Sequence, residues 1–329
     1  MSKRILVTGG CGFIGHHLVE HLLKNTDWSI IVLDKLSYAS NGFDRLRDIE
    51  SYDATRVEVF TIDLDQPVSH GVAKEIGSIQ HIVHMAAETH VDNSIRDPSS
   101  FVVSNVLGTA HILDYARTLS GLERVLYFST DEVFGPAPPE VEFREWDCYN
   151  SSNPYAATKA GGEELALAYA NTYKLPVLIS HCMNVFGERQ HTEKFIPLVI
   201  RKILLNETVT IHADANKTKS GSRRWIHARN VANAVQFILE RGKVRDKYNI
   251  TGEREADNLY IAKFIASVIG KPLLYEMTDY HSARPGHDLR YAMSGQKMKD
   301  MGWIPQKPFE DSLRRTVEWT LDNKKWINL

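Results

Sequence analysis

Cysteine, long apolar runs and clustered positive charge are all scarce in this 329-residue chain. The three cysteines, Cys11, Cys148 and Cys182, lack the close spacing of a metal site and cannot form an even disulfide set. No metal is therefore expected, and a reducing compartment fits three free thiols. No apolar stretch approaches the roughly 20 residues needed to cross a bilayer. The N-terminus, MSKRILVTGG, meets glycine after a handful of apolar residues, too few for the core of a signal peptide. These features predict a soluble cytoplasmic protein with no membrane association. The net charge is −2 and no cationic run exceeds two residues, as in Arg223-Arg224, which argues against a nucleic acid polymer as partner. One or two arginines still suffice for a small anion. Internal repeats and low-complexity linkers are missing as well.

What is present is the composition of a globular protein, 43% hydrophobic and 24% charged. The length exceeds most single cores and predicts one large or two interleaved domains. Strand-like runs RILVT (4–8), SIIVLD (29–34), VEVFTID (57–63), IQHIVHMAA (79–87), RVLYFST (124–130) and LPVLIS (175–180) alternate with helical patterns. The helical patterns cover about 14–24 and 98–119, and another starts near Pro154. This alternation predicts an α/β fold with a doubly wound, Rossmann-like parallel sheet. Ligands of such sheets sit beyond the carboxyl ends of the strands. Past residue 186 the pattern becomes irregular, with helical EKFIPLVIRKILLN and NVANAVQFILERG around a short strand, TVTIHA. The expected division is a first domain over 1–186, with about 224–252 woven back into it, and a smaller α/β substrate lobe over 187–329.

TGGCGFIG (8–15) lies between the first strand and the first helix. Glycines there allow a tight turn and close approach of a pyrophosphate to the N–H groups of a helix N-terminus. Asp34 ends the next strand, placed to accept from both ribose hydroxyls of an adenosine and to repel a 2′-phosphate. The pattern predicts NAD as cofactor, held by Gly9, Gly12, Phe13, Ile14, Gly15, Asp34 and Lys35. Asp63 and Leu64 near the adenine, and Ala86 and Ala87 where backbone passes close to the cofactor, follow from the same strand-end logic. Asn153-Pro154 forms a helix start that places Tyr155 and Lys159 one turn apart on one face. An adjacent ammonium favours tyrosinate and makes a phenol usable as a base. STDEVFGP (129–136) puts Asp131 and Glu132 side by side at the end of an apolar strand. That reads either as a solvated acidic loop or as an acid and a base at a sheet edge. A regular strand would send them to opposite faces, so the second reading needs a backbone turn, which Gly135-Pro136 permits.

TGGCGFIG, a strand ending in Ser/Thr and YxxxK together resemble the extended short-chain dehydrogenase/reductase family over nearly the whole chain. AAETHVDNSI (86–95), STDEVFG, NPYAATKA (153–160), EKFIP (193–197) and RPGHDLRYA (284–292) are similar to the nucleoside-diphosphate-glucose 4,6-dehydratases within it. The resemblance implies NAD-dependent oxidation at C4 of dTDP- or UDP-glucose, loss of water across C5 and C6, and return of the hydride to C6. It implies Tyr155 as proton acceptor, with Lys159 and Thr130 assisting, Glu132 as C5 base and Asp131 as C6 acid. Thr89, Thr130, Asn184, Glu193, Lys194, Arg223, Asn258, Arg284 and His287 are the implied substrate contacts, with the two arginines suited to a diphosphate. A homodimer joined through the helices near 98–119 and 154–173 is implied too. Three positions depart from the family pattern: Arg224 in RRW for RDW, Ala283 for an acid, and NVFGERQ for NNYGPYQ. The rivals are an NDP-sugar 4-epimerase, a UDP-glucuronate decarboxylase, and a non-catalytic NAD-sensing protein.

Overall fold

The structure is a computed structural model and describes residues 2–279 and 290–329. Seven strands, β1 (Arg4–Thr8), β2 (Ser29–Asp34), β3 (Val57–Thr61), β4 (His81–His84), β5 (Arg124–Thr130), β6 (Val177–Cys182) and β7 (Lys247–Ile250), form one sheet. Their spatial order is β7-β6-β5-β4-β1-β2-β3, and every pair is parallel. The central strands are near-continuous buried apolar runs because helices cover both faces of the sheet. One face packs on α1 (Phe13–Asn25). The other packs on α2 (Gly108–Thr118) and α3 (Pro154–Tyr173). The winding reverses between β1 and β4, which opens a crevice at their carboxyl ends.

The strand ends differ from the sequence expectation by a few residues, each for a local reason. β4 stops at His84 because the Thr8 hydroxyl accepts the next two amides, Met85 and Ala86, at 3.1 and 3.0 Å. β6 begins after Pro176, which has no N–H to give the ladder, and runs on to Cys182. That register carries Cys182, Met183 and Asn184 to the crevice. The helix expected over 98–119 contains a π-helical turn, Val103–Leu107, just before α2.

A third core, built around Phe186, Ile200, Trp225, Ile261 and Leu313, lies outside the large sheet. Its helices are α4 (Phe195–Leu204), α6 (Asn258–Ile269) and α7 (Phe309–Asp322). Two small sheets accompany it, Val209–Ala213 with Tyr275–Asp279 and Ser222–Arg224 with Glu255–Asp257. Between them in the chain, α5 (Ala228–Arg241) packs on α1 and leads into β7. Met298 and Trp303 also join the core around α1. No helix among the described residues is long and apolar enough to cross a membrane.

Candidate active site

A cleft of about 350 Å³ opens at the carboxyl ends of β1, β2, β4, β5 and β6, bounded on the far side by residues of the segment 182–195 and by Trp225. Gly9, Gly12, Phe13, Ile14 and Gly15 line its floor. Gly9 has φ +73°, and a Cβ there would stand 2.9 Å from the Ala86 nitrogen, so only glycine lets the loop pass the end of β4. A Cβ on Gly15 would overlap the Gly9 carbonyl, so helix α1 starts directly against the loop. Gly12 caps that helix with no side chain over its first amides. Asp34 is buried and takes the Cys11 and Leu36 amides at 2.9 and 2.8 Å. Burial pushes its carboxyl upward, against those amides and the Arg45 guanidinium. Lys35 is engaged by Glu88 at 2.8 Å. Asp63, Leu64, Ala86 and Ala87 complete this half of the cleft.

The other half is built on the end of β5. The chain turns at once into a 3-10 helix, Asp131–Phe134, capped by the Thr130 hydroxyl, which accepts the Glu132 amide. Gly135 closes the turn with φ +74°, and a Cβ there would overlap the Asn150 carbonyl. Phe134 anchors it from below, stacked on Phe143 at 5.4 Å and edge-on to His181 at 4.8 Å. The expected turn is therefore present, and it begins at Asp131 itself, with both carboxylates lining the cleft. Asp131 is fully buried. Desolvation, reinforced by the Glu132 charge and opposed by Arg223, pushes its carboxyl up to about 7. Its Oδ1 accepts from Thr130 at 3.1 Å, while Oδ2 has no hydrogen-bond partner among the described residues. Glu132 Oε2 accepts from Asn153 Nδ2 at 3.2 Å.

Asn153 also caps α3 by accepting the Ala156 amide at 2.9 Å, with Pro154 in the first turn. That start sets Tyr155 against Thr130 and the two carboxylates. One expectation is corrected here. The phenol of Tyr155 is pushed up, first by burial and then by the Glu132 charge, with Asp131 adding to it; Thr130 alone pulls the other way. Lys159 is not among the groups that act on that phenol; its ammonium lies 4.4 Å over the Tyr127 ring. Burial brings Lys159 itself down to about 7.

Thr89, Asn184, Glu193 and Lys194 all line the cleft. Glu193 faces His191 Nδ1 at 3.6 Å, His90 Nε2 at 3.8 Å and Lys194 at 4.0 Å. Two expected residues do not line it. Arg223 lies over the Tyr291 ring at 4.4 Å and donates to the Ser222 carbonyl, while the Asn258 amide is tied to Gly221. Arg284, His287 and Ala283 lie outside the described residues. Sequence reading missed Ser37, Ser104, Met183, Gln190, His191 and Trp225 as lining residues. Ser104 is there through the π-helical turn and Met183 through the extended β6, features with no sequence signal. The departures from the family pattern have structural partners: Arg224 binds Glu142, and Glu188 pairs with His227 at 3.1 Å and Arg229 at 3.0 Å. Among the described residues, no cluster of His, Cys, Asp and Glu could hold a metal ion.

The family signature described as NAD dependent epimerase/dehydratase matches residues 5–251. A dTDP-glucose 4,6-dehydratase from Escherichia coli is 36% identical over 98% of this chain and 94% of its own length. A solved dTDP-glucose 4,6-dehydratase from Streptomyces venezuelae, with NAD and dTDP bound, matches at a TM-score of 0.87 and 35% identity over 98% of both chains. The UDP-glucose 4-epimerase of Thermus thermophilus, in complex with NAD, matches at 0.84 and 28% identity over 96% of this chain and 98% of that one. With the glycine loop, the strand-end Asp34 and the Thr130, Tyr155 and Lys159 cluster in one cleft, these matches give the lineage: the chain belongs to the NAD dependent epimerase/dehydratase family.

Proposed function

We propose that this protein is an NAD-dependent nucleoside-diphosphate-glucose 4,6-dehydratase, a hydro-lyase that converts dTDP-glucose, or its UDP counterpart, to the 4-keto-6-deoxy sugar nucleotide. The cleft fits NAD: Gly9 and Gly15 let the loop pack against the end of β4 and start α1 directly at the cleft, no side chain caps the first amides of that helix, and Asp34 ends β2 where an adenosine ribose would lie. Lys35, already held by Glu88, offers little to a 2′-phosphate, which favours NAD over NADP. Bound NAD would supply the hydride acceptor for C4 and the donor for C6, and the positive charge of its oxidised form would oppose the two carboxylates that hold the Tyr155 phenol protonated.

Tyr155 takes the proton of the C4 hydroxyl as the carbon is oxidised, and the Thr130 hydroxyl steadies the developing oxyanion. The C4 ketone acidifies the neighbouring C5–H. Glu132 removes that proton, and Asp131 donates its own to the C6 hydroxyl, which departs as water. C6 then accepts a hydride and C5 a proton, so no net redox change remains. The observation that carries this reading is the pair Asp131 and Glu132 in one turn, with Asp131 protonated into the neutral range. A buried carboxyl beside a carboxylate divides the acid and base roles between them. Thr89, Asn184, Glu193 and Lys194 are proposed contacts of the sugar nucleotide, and Arg223 acts from behind on Asp131. The active assembly is proposed to be a homodimer in the cytoplasm, formed across the helix run 98–118 and α3, where Val102, Val103 and Leu107 are exposed.

The test is mass spectrometry of the products from dTDP-glucose, UDP-glucose and UDP-glucuronate assayed side by side. Loss of one water with no net redox change is expected. An isomer of unchanged mass would identify a 4-epimerase, loss of carbon dioxide from a glucuronate a decarboxylase, and no turnover a binding protein.

A further inference from the structure

Behind the cleft lies a largely buried ionic cluster that the reaction itself does not use. Glu163, one helical turn after Lys159 on α3, has no solvent exposure. Its Oε1 accepts from the Tyr149 hydroxyl and from Lys247 Nζ at 2.9 Å, and its Oε2 lies 3.1 Å from His181 Nε2. Lys247 donates to the Tyr149 hydroxyl as well, at 2.7 Å, and His181 Nδ1 meets Asn249 Oδ1 at 2.9 Å. The cluster thus draws on α3, β6, β7 and the arm after the acidic turn. His181 and Tyr149 both present edges to Phe134, at 4.8 and 5.3 Å, so the anchor of that turn rests on the cluster. On its other side the helix is pinned to β5, where the Tyr127 hydroxyl donates to the Lys159 carbonyl at 3.0 Å and leaves no space for a side chain on Gly162.

We propose that Glu163 is a positioning residue of the active site, whose clamped carboxylate keeps Lys159 charged while its partners seat the Asp131–Glu132 turn. The proposal rests on the reading of Lys159 as a working group of the cleft. Four titratable groups face Lys159: Tyr127 from β5, His84 from β4, and Tyr155 and Glu163 from its own helix. Burial holds both tyrosines and His84 in their neutral forms. Glu163 is the anion of the set, held well down in the carboxylate range by His181 and Lys247 against the effect of burial, and it is the group that opposes the desolvation of Lys159. A buried carboxylate is dependable in this role only if its own partners prevent it from taking up a proton, which Tyr149, His181 and Lys247 do.

The experiment titrates Lys159 directly, by NMR of protein labelled at lysine Cε, with its resonance assigned by its loss in Lys159→Met. In Glu163→Gln the ammonium should deprotonate about 1 pH unit lower than in the wild type, and the alkaline limb of turnover should move acid by the same amount. Glu163→Asp, which keeps the charge, should restore both. Because Glu163→Gln strands the Lys247 ammonium, the double variant Glu163→Gln/Lys247→Met serves as the second probe and should show the same shift. An unchanged Lys159 titration in the Gln variants overturns the proposal, and so does failure of both to fold, which assigns Glu163 to stability alone. A wild type without dehydratase activity would sink the proposed function, yet the titration would still decide this one.

Discussion

At the scale of single residues, the proposed division of acid and base between the neighbours Asp131 and Glu132 can be tested one residue at a time. Glu132→Gln keeps the shape and removes the base. The variant should still reduce bound NAD on adding dTDP-glucose, seen as nicotinamide absorbance, but stall before losing water. Dehydration near the wild-type rate would take Glu132 out of the mechanism. Asp131 makes a prediction about stability. Its folded-state pKa of about 7 stands above the ordinary aspartate value of 3.8, so the native state binds the proton more tightly than the unfolded chain. That contribution is complete below about pH 4 and is lost as pH rises through 7. Asp131→Asn, neutral throughout, should therefore match the wild type at low pH and exceed it at pH 8 by up to about 4 kcal/mol. Urea unfolding at the two pH values measures the difference, and a constant gap would show that Asp131 ionises freely. The motif residues were legible in the sequence because each is a local chemical pattern. The proton affinity of Tyr155 was not, since it depends on charges and burial contributed by β5 rather than by its own helix.

At the scale of elements, the catalytic arrangement depends on what stops β5. Thr130 caps the turn, Phe134 anchors it, and Gly135 releases it at φ +74° beside Asn150. Gly135→Ala combines a disfavoured backbone conformation with overlap on the Asn150 carbonyl. It should cost about 2–4 kcal/mol in denaturant unfolding and displace both carboxylates, with activity falling more than NAD binding. Equal stability would mean that Asn150 yields freely. The strand periodicity and the glycine told where the turn must come. They did not tell that β6 would extend to Cys182 or that a π-helical turn would carry Ser104 into the cleft. Both are settled by hydrogen bonds to neighbouring elements, and such turns recur at functional sites for the same reason.

At the scale of the whole molecule, bonds between segments far apart in sequence hold the chain beside the cleft. Arg45 is buried and donates to the Arg189 carbonyl at 2.9 Å, and Arg189 pairs with Asp48 at 2.7 Å. The proposed dimer face lies elsewhere, on the helix run 98–118, where Val102 is 49% and Leu107 42% exposed. A charge there should be tolerated by the fold and penalised by association. The double variant Val103→Glu/Leu107→Glu should sediment as a monomer at concentrations where the wild type is dimeric. An unchanged sedimentation coefficient would move the interface elsewhere. Because the π-helical turn that bears Ser104 also carries Val103 and Leu107, the monomer should bind NAD more weakly, which titration of tryptophan fluorescence would read.

Periodicity, glycine spacing and the adjacency of Asp131 and Glu132 are properties of short segments, so the doubly wound sheet, the glycine loop and the paired carboxylates at the end of β5 could be read before any folding was known. Their environments belong to the folded chain. Burial and charges outside its own helix raised Tyr155, burial beside Glu132 raised Asp131 to about 7, and packing put Glu163 in an ionic cluster with Tyr149, His181 and Lys247. Packing left Arg223 and Asn258 outside the cleft lining and brought Met183 and Trp225 into it. Desolvation and Coulomb energies depend on distances between residues far apart in sequence, and those distances exist only once the chain has folded.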